Sequence, residues 1–403
     1  MAVLGAGLQG VGVAIELALR GADVELYDRE AEAVSRASLQ NEGKVHLGLV
    51  YANDPSLKTG RLMLQGAACF APALRRWTEG GLDGLTLSTP FTYLTHRDSL
   101  LSPEALQAYY RTVCELGREA LSGPGADYLG ASGALDATRL TPAELDERFD
   151  TRTVAAAFRT SELAVDPQEV AGLLRRRLEG DPRIRLRLGT EVLGVERAAD
   201  GPVVQSDGPD GPVRERYDQV VNALWCGRLK VDRSAGIEPD APWSFRVKHF
   251  LRLRAPHGAA DAPSVTVALG PFGDVVNYGS GDLFLSWYPV GRRGMSGGIA
   301  PPDWPLPPPA AEQADIRAGV RAGLQALIPG LAGIGATELD SAEVQGGIIY
   351  AVGETDVDDR TSQLHQRART GPVSYGRYHT VDTGKYSLAP LFALELAERI
   401  LPS

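Results

Sequence analysis

The sequence predicts a mixed α/β chain in which a mostly parallel, helix-flanked sheet is interleaved with an antiparallel one. Three observations predict it. The chain opens AVLGAGLQGVGVAIELALRGADVELYDRE, an apolar strand, a glycine turn, a helix and a second strand, which together make one β-α-β unit. The later segments FRVKHFLRLRA, SVTVALG and DLFLSWYPV alternate as antiparallel strands with one wet face do. Segments suited to the first sheet and its helices stand on both sides of them, YDQVVNALW before and a C-terminal helix after.

In the opening unit each residue type has a task. Gly5 permits the tight strand-to-helix turn, Gly7 lets a pyrophosphate approach the backbone, and Gly10 lets helix and strand pack closely, with the small Ala14 further along the same helix. The helix N-terminus, beginning near Leu8, offers free N–H groups and the positive end of its dipole to phosphates. Asp28 lies eighteen residues past Gly10, where a carboxylate accepts hydrogen bonds from a ribose hydroxyl, and Arg29 stands beside it. The unit therefore predicts a dinucleotide site.

Composition sets bounds. The 403 residues suffice for two domains, and 43% apolar with 23% charged residues is ordinary for a globular protein. A net charge of −10 argues against nucleic acid or an anionic membrane surface as partner. Cys69, Cys114 and Cys226 are odd in number and far apart, so neither a disulfide framework nor a metal site is expected and a reducing, cytoplasmic compartment fits. No apolar run reaches membrane-spanning length. Because the fingerprint strand begins at residue 2, no secretory leader is expected, while the shortness of that strand leaves open whether the chain starts there naturally.

The remaining elements follow in order. Residues 29–60 read as loop and turn, and 62–77 as a helix. Leu106, Tyr109, Tyr110, Val113 and Leu116 give a second helix its spacing within 100–121. A third starts at Asp166 as N-cap, with Pro167 at the first helical position and Glu169 three residues after the cap. Val170, Leu173 and Leu174 form its apolar face, and Arg175, Arg176 and Arg177 its solvated one. The run IRLRLGTEVLGVERA reads as a strand, DGPDGP as a turn, and YDQVVNALW as a buried strand. After the antiparallel segments, GGIAPPDWPLPPPAA is a stiff connector. A helix with Ile316, Val320, Leu324 and Leu327 on one side follows, then a loop and a last helix. This order predicts a discontinuous nucleotide-binding domain (1–75, 155–228 and 341–403) and a substrate domain (76–154 and 229–340).

A family resemblance appears after the second strand. The run SLQNEGKVHLGLVYANDPSLKTGRL carries Asn41, Gly43, His46, Gly48, Tyr51, Ser56, Leu57 and Lys58, and so resembles the Asn-x-Gly-x-x-His-x-Gly pattern of L-2-hydroxyglutarate oxidases. Through Lys44 and His46 it is also similar to FAD-dependent glycerol-3-phosphate dehydrogenases. Both belong to the D-amino-acid-oxidase-like FAD superfamily. The resemblance implies a Rossmann-like FAD-binding domain with an interleaved antiparallel-sheet substrate domain, non-covalent FAD, and cofactor contacts from Asn41, Gly43, Lys44 and His46. It further implies adenine contacts from the main chain at Val192 and contact near Ala223, where Leu224 and Trp225 depart from the family's Ala-x-Gly-x-Trp spacing. Thr383, Gly384 and Lys385 would bring N–H groups and an ammonium to the pyrimidine edge of the flavin, where positive charge is stabilising. The resemblance covers both ends of the chain and residues 160–228, and is loose over 76–150 and 229–340.

The implied chemistry is oxidation of the C–H bond next to an OH or NH in a small hydroxy acid or amino acid, by hydride transfer to flavin. His46 is the candidate base. Lys44 is placed with it, with flavin, Glu42 or substrate as possible partners. Substrate contacts are expected from Tyr278 and Tyr288 on the antiparallel sheet, and from Arg360 and His365, which with Arg367 suit a carboxylate. Asp274 and Arg252 read as surface residues. The partner is a small-molecule substrate, with the electron acceptor open. An amine or amino-acid (C–N) oxidase and a non-catalytic nucleotide-binding protein stand as alternatives.

Overall fold

The structure, a computed structural model of the chain, describes residues 1–79, 81–131, 135–254 and 256–402. Its first sheet has six strands in the order Gly371–Tyr375, Tyr378–Asp382, Val220–Asn222, Ala2–Leu4, Val24–Tyr27, Ile184–Arg187. All neighbouring pairs are parallel except the first, an antiparallel edge hairpin. The opening strand thus lies in the middle, fully buried, which explains its unbroken apolar run. The helix Leu8–Leu19 packs so close to it that a Cβ on Gly10 would stand 1.8 Å from the Gly5 carbonyl oxygen. Gly5 itself has φ +99°, a conformation L side chains avoid.

The second sheet has nine strands. Eight run in the order Arg292–Ser296, Trp243–Leu253, Leu283–Trp287, Gly273–Asn277, Val265–Val267, Thr92–His96, Val154–Thr160, Ala137–Arg139, and Glu343–Val352 also pairs with Trp243–Leu253. The expected wet face is absent: every residue from Ser244 to Leu253 is buried. Period-two alternation separates two covered faces instead. On the outer face Leu251, Leu253, Val265, Val267, Val275, Leu283 and Leu285 pack on Ile316, Val320 and Leu324 of the helix Ala310–Gln325. The other, inner face carries Arg246, Lys248, Phe250 and Arg252, of which Lys248 and Phe250 line a cavity while Arg246 and Arg252 pair with Asp356 and Asp166.

Other expectations need correction. IRLRLGTEVLGVERA is two strands: Ile184–Arg187 joins the six-stranded sheet, and Glu191–Glu196 joins a separate three-stranded meander with Val203–Gly208 and Gly211–Arg216. The break falls at Gly189, whose φ is +65°. Strands Val154–Thr160 and Glu343–Val352 lie in ranges grouped by sequence with the nucleotide-binding domain, yet they hydrogen-bond into the nine-stranded sheet. The strands Gly273–Asn277 and Arg292–Ser296 had no separate sequence signal: the first is five residues long and opens on glycine, and the second is polar and broken by Gly294.

The helices Lys58–Trp77, Pro103–Leu121 and Pro167–Glu179 stand close to their expected places. Asp166 caps the last of these through the Gln168 N–H at 2.9 Å. Glu169 does not close a capping box; its carboxylate accepts from the Thr86 N–H and hydroxyl at 2.7 and 2.6 Å. Finally, a two-stranded antiparallel ribbon, Lys44–Val45 with Leu163–Ala164, bridges between the sheets.

Candidate active site

A cavity of about 510 Å³ lies between the two sheets, and its walls include residues of the N-terminal, mid-chain and C-terminal stretches assigned by sequence to the cofactor. Gly5, Gly7, Leu8 and Gln9 line one end, with Asp28, Arg29, Val192 and Ala223 around them. Asn41, Glu42, Lys44 and His46 lead to the other end, where Thr383, Gly384 and Lys385 meet Lys248, Phe250, Phe284 and Tyr288 of the nine-stranded sheet. The proline-rich segment is more than a connector: Ala300, Pro301, Pro302, Asp303, Trp304 and Leu306 roof the cavity.

At the glycine end the local reasons are clear. Gly7 is the N-cap of the first helix, and a Cβ there would meet only the Ser38 hydroxyl, at 3.1 Å. That hydroxyl accepts from the Leu8 N–H at 2.9 Å, tying the Ser38 loop to the helix start. Asp28 accepts from the Ala6 and Glu30 N–H groups at 2.7 and 3.0 Å, so its carboxylate shapes the loop as well as facing the cavity. Burial raises its pKa, only partly offset by those bonds. Trp225 holds φ +52° without glycine, at a cost of about 1–2 kcal/mol. Its indole N–H donates to the Ile348 carbonyl at 2.8 Å, which fixes the ring at the cavity wall.

Two of the glycines singled out by sequence, Gly10 and Gly43, are not among the residues that line the cavity. Gly10 lies under Gly5, outside the cavity wall, and Gly43 is required because a Cβ there would stand 1.9 Å from the Val165 carbonyl oxygen. Asn41 does line the cavity, but its amide closes its own turn, donating to the Ala37 and Ser38 carbonyls at 3.0 Å and accepting from the Gly43 N–H at 2.8 Å.

The other end is crowded with charge. The Lys44 ammonium, 2% exposed, donates to Asp274 Oδ1 at 2.8 Å and to the Thr266 hydroxyl, and lies 4.3 Å from the centre of the Phe91 ring. Lys44 is therefore paired directly with Asp274, while Glu42 acts on it electrostatically and it still lines the cavity. Asp274 and Arg252, expected at the surface, are buried. Arg252 forms a two-pronged pair with Asp166 at 2.9 and 2.7 Å.

Lys248, unmarked by sequence, is a further cation on the cavity wall. Its Nζ stands 3.9 Å from Asp274 Oδ2 and 4.3 Å from the centre of the Tyr288 ring. Burial works against its charge, but Tyr288, Glu42 and Asp274 outweigh it and raise the pKa. Burial would raise Tyr288, yet Lys248, Lys385 and Arg246 lower it. Lys385 is lowered, chiefly by burial with Arg367 and Lys248 adding to it. Glu42 is held ionised by Lys248, Lys385 and Lys44 against its burial. A usable signal for Lys248 was the period-two placement of Arg246, Lys248 and Arg252 in one strand.

His46 lies among these groups, 3% exposed, with Nε2 3.9 Å from Glu42 Oε1 and Nδ1 3.7 Å from Glu162 Oε1. Burial and Lys385 lower its pKa, so the ring is neutral at physiological pH and able to accept a proton.

The remaining substrate candidates are elsewhere. Tyr278 is buried, and its hydroxyl donates to the Glu42 carbonyl at 3.1 Å. Arg360 is exposed on a loop, its carbonyl accepting from Asn53 at 2.7 Å. The ring of His365 bonds the Asp359 carbonyl at 2.9 Å. None of the three lines the cavity, so the Arg360–His365 clamp is not formed.

These residues fit a flavin dinucleotide. Glycines leave the wall open at the helix start, and Gln9 Nε2, buried on the cavity wall, has no hydrogen-bond partner among the described residues. Comparison with known proteins agrees. Residues 1–371 match the family described as DAO, FAD dependent oxidoreductase. The structure of glycine oxidase from Geobacillus kaustophilus superimposes with a TM-score of 0.68 at 17% identity, over 98% of this chain and 93% of that one. Iminodiacetate oxidase (IdaA) from Chelativorans sp. BNC1 gives 0.66 at 16% identity, over 99% and 95%. The dithionite-reduced, FAD-bound L-α-glycerophosphate oxidase from Mycoplasma pneumoniae gives 0.64 at 12% identity, over 100% and 94%. No curated protein matches the sequence. The chain belongs to the DAO family of FAD-dependent oxidoreductases, and FAD is its cofactor.

Proposed function

We propose that this enzyme oxidises the C–H bond next to an OH or NH in a small substrate that carries a carboxylate. The observation that carries the reading is the meeting of Lys248, Lys385, Tyr288, Glu42 and His46 at one end of the cavity. FAD, when bound, supplies the two-electron acceptor for that bond. Gly5, Gly7, Leu8, Asp28, Arg29, Val192 and Ala223 would hold its dinucleotide part non-covalently, and Thr383, Gly384 and Lys385 its ring end. Lys248 and Lys385 offer ammonium groups to the substrate carboxylate, and Tyr288 a phenol held between them. His46 takes the proton from the substrate OH or NH. The roof segment and the inner face of the nine-stranded sheet keep water away, which strengthens each of these charges.

One observation favours an amino-acid substrate as a second reading. Glu42 places an ionised carboxylate among the cavity cations, and a substrate ammonium would match it. The nine-stranded sheet, with strands Val154–Thr160 and Glu343–Val352 included, makes up the substrate domain in this account. The free thiols of Cys69, Cys114 and Cys226 fit a reducing, cytoplasmic setting, and no helix among the described residues is long and apolar enough to cross a membrane.

Anaerobic mixing with matched 2-hydroxy acids, 2-amino acids and their decarboxylated analogues tests the reading by flavin bleaching. Acids should bleach the flavin and decarboxylated analogues should not. His46→Ala should stay yellow and reduce about 10²–10⁴-fold more slowly. Equal bleaching by the analogues would remove the carboxylate requirement.

A further inference from the structure

We propose that Glu162 is the positioning residue for His46, holding its Nδ1 side so that Nε2 faces the reacting end of the cavity. The inference rests on the reading of His46 as the base. It starts from register. In the short ribbon Lys44 pairs with Ala164 and Val45 with Leu163, so the next antiparallel pair is His46 with Glu162. Pairing alone therefore brings a carboxylate to the ring, 3.7 Å from Nδ1.

Glu162 is fully buried, and its carboxylate is fixed from other directions. Oε2 accepts from the Leu47 N–H at 2.7 Å, and Oε1 accepts from the Tyr93 hydroxyl. The backbone around it is equally fixed: the Glu162 N–H donates to the Thr160 hydroxyl at 3.2 Å, and its carbonyl accepts from the Phe91 N–H at 3.0 Å. A carboxylate tied in this way cannot follow the ring, so the ring orients to it. An Nδ1–H directed at Glu162 leaves Nε2 with its lone pair, on the side of Glu42 and the cavity.

The charges facing His46 come from every element packed on it. Glu42 and Lys44 lie on its own segment, Glu162 on the paired strand's segment, Lys385 on the C-terminal loop, and the Tyr51 ring edge 6.2 Å away. Burial, Lys385 and Lys44 disfavour the imidazolium, while Glu162 favours it. Glu162 therefore limits how far the pKa of His46 is depressed, which matters for a group that must accept a proton and release it. A carboxylate present only to satisfy Leu47 and Tyr93 would have no such hold on the imidazole.

The test uses FAD-loaded protein labelled with heavy nitrogen in its histidine rings, followed by NMR through a pH titration, with His46→Gln assigning the signal. In Glu162→Gln the His46 midpoint should fall by about one pH unit, and the ring should lose its fixed Nδ1–H form. Tyr93→Phe keeps the Leu47 bond and releases Oε1, the oxygen nearest Nδ1, from its hydroxyl donor, so the His46 midpoint should rise; it carries the test if the Gln variant does not fold, and an unchanged midpoint there would overturn the proposal. A folded Glu162→Gln protein with an unchanged His46 midpoint would overturn the proposal. If the midpoint shifts as expected but His46→Gln is reduced by substrate as fast as the parent, Glu162 still governs His46 and the assignment of His46 as base fails instead.

Discussion

Gly10 sits where a single methyl group has no place. A Cβ would overlap the Gly5 carbonyl oxygen at 1.8 Å and crowd the Val3 side chain at 3.3 Å. Gly10→Ala should therefore push the first helix off the central strand and cost about 1–3 kcal/mol or more, read as a lower thermal midpoint. Residues of this kind are legible in a sequence because the constraint is local: strand, turn and helix follow one another within a few positions. The charged residues of the site are not. Lys44 bonds Asp274, 230 positions away, and Arg252 bonds Asp166, 86 positions away. Nothing near either residue in the chain marks its partner, so Asp274 and Arg252 read as surface and Lys44 as a partner of flavin, Glu42 or substrate instead. His365 and Arg360 failed for the opposite reason. Their composition suited a carboxylate, but a nearby carbonyl and open solvent claimed them.

At the scale of elements, the strand Trp243–Leu253 shows what a hydropathy pattern can and cannot carry. Alternation identified it as a strand, but a face turned to solvent and one turned to a polar cavity have the same alternation. The inner face holds the site's cations, which the short ribbon Lys44–Val45 meets through the Lys44–Asp274 pair. That pair pins the ribbon to the nine-stranded sheet, and with it the segment carrying Glu42 and His46. Removing one member leaves a buried charge alone, so Lys44→Met should cost about 3–5 kcal/mol. Lys44→Met with Asp274→Leu should recover most of that loss, because neither charge is then stranded. Thermal unfolding of the single and double variants checks this; equal destabilisation in both would mean that the pair does not anchor the ribbon.

Over the whole molecule, burial lowers the pKa of four of the six histidines: His46, His249, His365 and His379, the last to about 4. For each, the unfolded chain binds the proton first, so stability is lost as pH falls below about 6.5 and down toward the folded values. Asp28 and Asp382, raised by burial, act the other way but are fewer. Below about pH 4 a second loss follows, because Glu42, Glu162 and Asp274 are lowered in the fold and must be protonated. Thermal midpoints should therefore decline from about pH 6.5 downward, well before ordinary carboxylates titrate; a flat midpoint down to about pH 4 would contradict this. The sequence allowed the convergence of distant stretches to be foreseen, since each carried its own local signal, while the cavity's roof and its Lys248 wall emerged only from the packing of the two sheets. That convergence on one flavin is tested most directly by the FAD content of purified protein and of Gly7→Val. A Cβ at Gly7 meets only the Ser38 hydroxyl of the protein, so the fold should survive while the phosphate approach closes. We expect one FAD per parent chain and a folded, colourless Gly7→Val protein. A Gly7→Val protein that retained FAD at the parent's stoichiometry would show that the cofactor does not lie against this turn.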